Sequence, residues 1–285
     1  MANIHRSGRA MSIFDEPKID CHNHLFDPAN FPYLAETIYR PAGQEIGTLK
    51  QFDRVLDAYG VQHALLVQPT SGYRGDNRLL LSALAAGQGR YKGVVVVDHD
   101  ISLEALANYQ AKGVVGVAFN PATEGLTAMA GAEALLPKLA ELGMFAQIQT
   151  VGDQLVQLLE MIDQSDVRLL IDHCGRPDVE HGLYQPGFQA LLRLAERGRA
   201  TVKISGMQKF APMDSVFEDT VGYVQALLET FGPDACVWGS DWPFLRMQQR
   251  VDYGPLLKLA EQFMPDAAVR RAVMWDTPRR LFGFR

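Results

Sequence analysis

Cysteine is scarce in this chain: only Cys21, Cys174 and Cys236 occur, far apart and with no Cys-x-x-Cys pair. That spacing excludes a zinc finger and a dithiol redox motif, and an odd, scattered set argues against a disulfide framework. Long apolar runs are missing too. No segment is long and apolar enough to span a bilayer, and the first 17 residues, with Arg6 and Arg9, lack an apolar stretch of signal-peptide length. Positive charge is not in excess, since 27 Lys and Arg stand against 33 Asp and Glu for a formal charge of -6. A broad nucleic-acid surface is therefore not expected. No Gly-x-Gly-x-x-Gly opens a helix, no tract has low complexity, and no Pro/Gly/Ser linker divides the chain. The expectation is a reducing, cytoplasmic setting, no nucleic-acid or membrane partner, and a small-molecule substrate.

What is present is a rhythm of short apolar strands and amphipathic helices in a 285-residue chain that is 47% hydrophobic, enough for one large core. The patterning predicts eight strands over 18–24, 64–68, 93–97, 114–119, 144–149, 167–173, 201–205 and 236–239. Helices are predicted between them over 49–59, 77–86, 102–112, about 132–142, 153–162, 187–197 and 215–231, with a tail helix over 276–283 packed on the outside. Eight strands alternating with helices predict an α/β fold, a single-domain (β/α)8 TIM barrel, whose site lies where the strands end. A doubly wound open sheet is the alternative. Residues 1–17 read as an N-terminal arm and 18–285 as the catalytic barrel.

Side chains alternate along a strand, so polar residues at strand ends in the inward phase are the candidates. On the first strand Asp20, His22 and His24 share a side, opposite Ile19 and Cys21. The inward phase elsewhere predicts Gln68, Asn120, Gln147 and Gln149, His173 with Ile171, Lys203 and Ser205, and Asp241 with Val237 and Gly239. Asp172 and Cys174 are predicted to face away. A His-x-His pair at a strand end suits either a metal ion or a substrate oxygen. Lys203 reads either as a Schiff-base lysine or as the buried partner of a carboxylate such as Asp20 or Asp241.

Asp-Cys-His-Asn-His at 20–24, Asp-His-Cys-Gly-Arg-Pro at 172–177 and Trp-Gly-Ser-Asp-Trp-Pro at 238–243 resemble the signatures of the amidohydrolase superfamily. The chain is most similar to its amidohydrolase-related group, which includes 2-pyrone-4,6-dicarboxylate lactonase and several sugar-acid lactonases. Gln68-Pro69, the run 75–78 and the closing 281–284 fit as well. In that superfamily two first-strand histidines, a fifth-strand histidine and an eighth-strand aspartate commonly hold a divalent metal. Here the fifth strand offers Gln147 and Gln149, and an amide oxygen is a poor zinc donor. No cofactor is therefore expected; the alternative is a weak or adventitious zinc held by His22, His24 and Asp241.

The resemblance implies a hydrolase that opens a lactone by attack of water. Asp241 would be the general base, and His22, His24 and His173 would donate to the carbonyl oxygen. Arg176, Gln149, Asn120, Tyr39 and Arg74 are the expected substrate-binding residues, with Arg176 placed to pair with a substrate carboxylate. Ala118 stands where the dicarboxylate lactonase pattern has an arginine, which favours a sugar-acid or monocarboxylate lactone. The alternatives are a metal-dependent hydrolase, a sugar-lactone isomerase and, last, a non-catalytic binding barrel.

Overall fold

Runs of Val, Ile, Leu and Ala too short and too β-branched for helices form the strands. These are β1 (Lys18–Asn23), β2 (Val61–Val67), β3 (Tyr91–Val95), β4 (Val114–Phe119), β5 (Phe145–Ile148), β6 (Arg168–Ile171), β7 (Ala200–Ile204) and β8 (Cys236–Trp238). The structure, a computed structural model, describes residues 12–212 and 217–285. All eight strands are parallel and pair in chain order. At the remaining seam Asn23 bridges to Trp242, the Asp241 N–H donates to the His22 carbonyl at 2.8 Å, and the His24 N–H donates to the Trp242 carbonyl at 2.8 Å. The strands thus form a nearly closed (β/α)8 barrel in a single domain, as the strand and helix rhythm predicts.

Among the described residues seven main helices return the chain between strands, α1 (Leu49–Ala58), α2 (Arg78–Gly87), α3 (Leu103–Ala111), α4 (Ala132–Glu141), α5 (Gln154–Asp163), α6 (Pro186–Leu194) and α7 (Val221–Phe231), and α8 (Tyr253–Phe263) follows β8. The first shows the local logic. Thr48 caps it by accepting from the Gln51 N–H, and Phe52 and Leu56, four residues apart, are buried against the barrel. Each such burial stabilises by about 2 kcal/mol. The patterning missed α8, whose Gly254 and Pro255 resemble a break; Pro in a first turn costs no helical bond, and Leu256, Leu257, Ala260 and Phe263 are buried. The start predicted for the seventh helix, Ser215, lies outside the described residues.

Two apolar layers lie on either side of the strands. Outward residues such as Ile148, Ile171 and Val202 pack in the large cluster under the helices. Inward residues Ile19, Cys21, Leu65, Val94, Phe145, Leu170 and Val237 form a second cluster, joined by Trp275, Phe282 and Phe284. The tail helix, Thr277–Phe282, thus closes the barrel floor instead of lying on its outside. Of the predicted arm, residues 1–11 lie outside the described residues. Ile13 is fully buried and Glu16 pairs with Arg270 at 2.6 Å, so the described part is docked.

Candidate active site

Above the apolar floor a cavity of about 600 Å³ opens among the C-terminal strand ends, a volume suited to a small ligand. His24, Gln68, Asn120, Gln147, Gln149, Asp172, His173, Arg176 and Asp241 line it. The strand-end rule therefore finds the right place. Simple alternation does not find the right side chains at two strands.

On β1 the register slips between Asp20 and Asn23, where three steps of β1 face two of β2. Ahead of this bulge the phase is the reverse of that predicted, with Ile19 inward and Asp20 turned out. Cys21 joins the inner cluster. Asp20, predicted inward, instead accepts from the Ser240 N–H (3.0 Å) and hydroxyl (2.6 Å), the Tyr253 hydroxyl (3.0 Å) and the His22 N–H (3.1 Å). Burial raises its carboxyl, and these donors act against the rise. Asp20 thereby pins β1 to the segment after β8. The bulge then returns His22 to the interior.

On β6 the phase is the reverse of that predicted: Leu170 and Asp172 face in, and Ile171 packs outward. Asp172, expected outside, is at the centre of a buried network. Its Oδ1 lies 3.1 Å from Lys203 Nζ and 3.2 Å from His22 Nδ1, and its Oδ2 accepts from Gln147 Nε2 at 2.9 Å. Burial works to raise its carboxyl, but Lys203 and His22 outweigh it and hold the group below the usual carboxylate range. Lys203 is thus the partner of Asp172, not of Asp20 or Asp241. Its own pKa is lowered by burial, with Asp172 opposing.

His173 reaches the cavity by a different device. The chain takes left-handed φ values at His173 (52°), Cys174 (55°) and Arg176 (47°), folding β6 into a tight turn that brings both His173 and Arg176 to the cavity wall. Ser205 Oγ lies 3.0 Å from His173 Nδ1. Gly206 makes room: a Cβ there would lie 2.2 Å from His173 Nδ1. Burial and the neighbouring His22 push the His173 pKa well down, while burial and Lys203 lower His22 to about 4. Both rings are neutral near pH 7. The Arg176 guanidinium is lowered in pKa by burial, and its Nε has no hydrogen-bond partner among the described residues.

Asp241 sits in the left-handed region (φ 62°) just past β8 and is 3% exposed. Its Oδ2 accepts from Gln208 Nε2 at 2.9 Å and faces Lys209 Nζ at 3.3 Å. The Oδ1 atom faces His24 Nε2 (3.7 Å), His22 Nε2 (3.8 Å) and His173 Nε2 (4.0 Å). Burial raises this carboxyl, but Lys209 and then His173 lead the opposing pulls that hold it well below the usual range. His24 Nδ1 lies 2.9 Å from the Val67 carbonyl, which can only accept, so Nδ1 carries the proton and a neutral His24 turns a lone pair to the cavity. Against expectation, His24 can donate inward only when protonated.

The remaining candidates divide. Gln149 and Asn120 line the cavity, Asn120 also capping the turn after β4 by accepting from the Thr123 N–H. Arg74 pairs with Glu124 at 3.0 Å and Tyr39 donates to Glu45 at 2.6 Å; neither lines the cavity. The guanidinium of Arg246, 4.3 Å from the centre of the Tyr39 ring, takes that rim position. Gln208, Lys209 and Arg246 were not anticipated. Gln208 and Lys209 follow β7 directly, so the barrel rule that sites lie on post-strand loops could have found them.

The residue pattern of the amidohydrolase family matches residues 19–284, a span that takes in His22, Asp172 and Asp241. The chain belongs to the amidohydrolase family. A 4-sulfomuconolactone hydrolase of Hydrogenophaga intermedia is 28% identical over 93% of this chain and 88% of its own. A 2-pyrone-4,6-dicarboxylate hydrolase of Comamonas testosteroni is 28% identical over 93% and 89%. In fold, the probable 2-pyrone-4,6-dicarboxylic acid hydrolase of Acinetobacter baumannii, solved with citric acid bound, superposes with a TM-score of 0.83 at 27% identity, over 94% of this chain and 99% of that one. This amidohydrolase is, like those relatives, a hydrolase. Among the described residues, His22, His24 and Asp241 form one group able to hold a metal ion and His22, Asp172 and His173 another. No described helix is long and apolar enough to cross a membrane.

Proposed function

We propose that this amidohydrolase opens a lactone of an anionic substrate by metal-independent attack of water, with Asp241 as general base. The observation that carries the reading is the asymmetric dressing of Asp241. Its Oδ2 is occupied by Gln208 and Lys209, and its Oδ1 is left facing three imidazoles across the cavity. With Oδ2 engaged, Oδ1 is the oxygen of this carboxylate open to take a proton from water. Water hydrogen-bonded to Asp241 Oδ1 turns its oxygen toward the substrate carbonyl, while the His24 Nε2 lone pair faces His22 Nε2 at 3.3 Å and accepts from it. As the water oxygen bonds to the carbonyl carbon, its proton passes to Asp241. The carbonyl oxygen, now negative, accepts from Nε2–H of His173, whose Nδ1 is satisfied by the Ser205 hydroxyl, and from Nε2–H of His22, which it shares with His24 Nε2. Collapse breaks the ring C–O bond, and the leaving oxygen takes the proton back from Asp241.

The donor set bears on whether His22, His24 and Asp241 would hold a zinc ion. The three atoms lie 3.3–3.8 Å apart, a spacing a divalent ion could bridge. The charges are against it: the Lys209 ammonium is already 3.3 Å from Asp241, Lys203 is 3.1 Å from His22, and the Gln147 carbonyl oxygen on β5 is taken by Lys203 at 2.6 Å. These residues do not fit a tight metal site. The partnerless Arg176 Nε and the rim guanidinium of Arg246 support a substrate that carries a carboxylate. Three free, buried cysteines are in keeping with work in the cytoplasm.

The test is hydrolysis of aldonolactones, aldarolactones and 2-pyrone-4,6-dicarboxylate by enzyme assayed before and after chelation, with metal analysis on the same sample. Turnover should survive metal removal. Loss on chelation with recovery on adding zinc would overturn the metal-free reading. Solvent oxygen must enter the product in heavy-oxygen water; its exclusion would turn the reading to a lactone isomerase.

A further inference from the structure

Lys203 stands fully buried on β7, and nothing in the water-attack mechanism uses it. An ammonium carries three hydrogens and no lone pair. Around Nζ lie three polar atoms: Gln147 Oε1 at 2.6 Å, Asp172 Oδ1 at 3.1 Å and His22 Nδ1 at 3.1 Å. Gln147 is itself held, its Nε2 donating to Asp172 Oδ2 at 2.9 Å, which turns its carbonyl oxygen to the lysine. The charge on Lys203 is required by its partner. A buried Asp172 carboxylate without a cation would be strongly destabilising.

The third hydrogen of that ammonium therefore needs His22 Nδ1 as an acceptor. If Nδ1 carried a proton and donated to Asp172, 3.2 Å away, a buried N–H of Lys203 would face another N–H and go unpaired. We propose that Lys203 is a positioning residue that sets the tautomer of His22, keeping the proton on Nε2, where it faces His24 Nε2 at 3.3 Å and Asp241 Oδ1 at 3.8 Å. Resting on the lactonase reading, this explains how one imidazole is kept as a hydrogen-bond donor and denied to a metal as a lone pair. Gln147 is part of the device. Its carbonyl oxygen, accepting from Lys203 Nζ at 2.6 Å, orients the lysine.

Nitrogen NMR of the full chain labelled at histidine, with His22→Gln to assign the ring, reads the tautomer at neutral pH without substrate. The wild type should show His22 protonated at Nε2 and bare at Nδ1. In Lys203→Met the proton should move to Nδ1, toward Asp172, and kcat should drop about 100-fold with KM changed less than about threefold, the size of losing one oxyanion donor. A wild-type His22 protonated at Nδ1 overturns the proposal, and does so even if Lys203→Met fails to fold. A Lys203→Met protein that keeps Nε2–H overturns it as well. Absence of lactone hydrolysis by the wild type would remove the lactonase reading while leaving the tautomer result to stand on its own.

Discussion

The floor and the mouth of the barrel obey different rules. At the floor, Ile19, Leu65, Val94, Phe145, Leu170 and Val237 follow strict alternation and interdigitate with Trp275, Phe282 and Phe284. At the mouth, alternation is broken at several of the cavity's polar residues: a bulge precedes His22, and His173, Arg176 and Asp241 take left-handed φ values. A regular strand can present only every second side chain to the interior. Bulges and positive φ values let neighbouring residues such as Asp172 and His173 line one cavity, at a conformational cost of about 1–3 kcal/mol per strained residue. The apolar floor supplies the stability that sustains this.

The comparison is broken hardest at Asp241. Asp241→Asn should lower turnover at least 10³-fold with the fold intact by circular dichroism, because the isosteric amide cannot accept the proton. Residual lactonase activity near wild type would remove Asp241 as base. Next comes Gly206→Ala, which places a Cβ against the His173 ring. Activity should fall at least 10-fold while Tm drops by only a few degrees, and equal losses in both would mean that mouth and floor are not separable. At the floor the pattern inverts: Leu170→Ala should cost about 2–5 kcal/mol in denaturant unfolding and leave kcat within about threefold at low temperature.

Acid sharpens the same contrast. His22, lowered to about 4, and His173, lowered well below its usual value, stay neutral in the fold and gain protons on unfolding below about 6.5. Stability should therefore fall as pH drops from about 6.5 towards 4. The depressed Asp172 and Asp241 carboxyls add a further loss below about 3.9. A Tm series against pH should be shallower between 6.5 and 4 for His22→Gln than for wild type, and parallel curves would refute the assignment. The smallest effect belongs to Arg74→Ala, where kcat/KM should stay within about threefold, since its pair with Glu124 is half-exposed and off the cavity.

Much of this site was legible in the chain itself. His22, His24, His173, Arg176 and Asp241 were found because their motifs end predicted strands, and the barrel follows from the repeated rhythm. Tyr39 and Arg74 were drawn in because they lie on loops of the correct end; their partners Glu45 and Glu124, distant in sequence or off the periodic pattern, hold them elsewhere. Asp172 comes out on the wrong side when the phase of β6 is set by His173, which lies past the last ladder residue, Ile171, in a left-handed turn; Leu170 and Asp172 themselves keep the period of two.

What the sequence by itself determined is the barrel, its polar end and the residue types gathered there, since periodicity and motif spacing are properties of the chain alone. Only the tertiary structure decided which atom of each residue faces which partner. That Lys203 meets Asp172 and His22, that Gln147 bridges them, and that His24 presents a lone pair depend on bulges, left-handed turns and contacts between strands more than 20 residues apart. Such contacts arise from packing geometry, and local sequence pattern carries no measure of it.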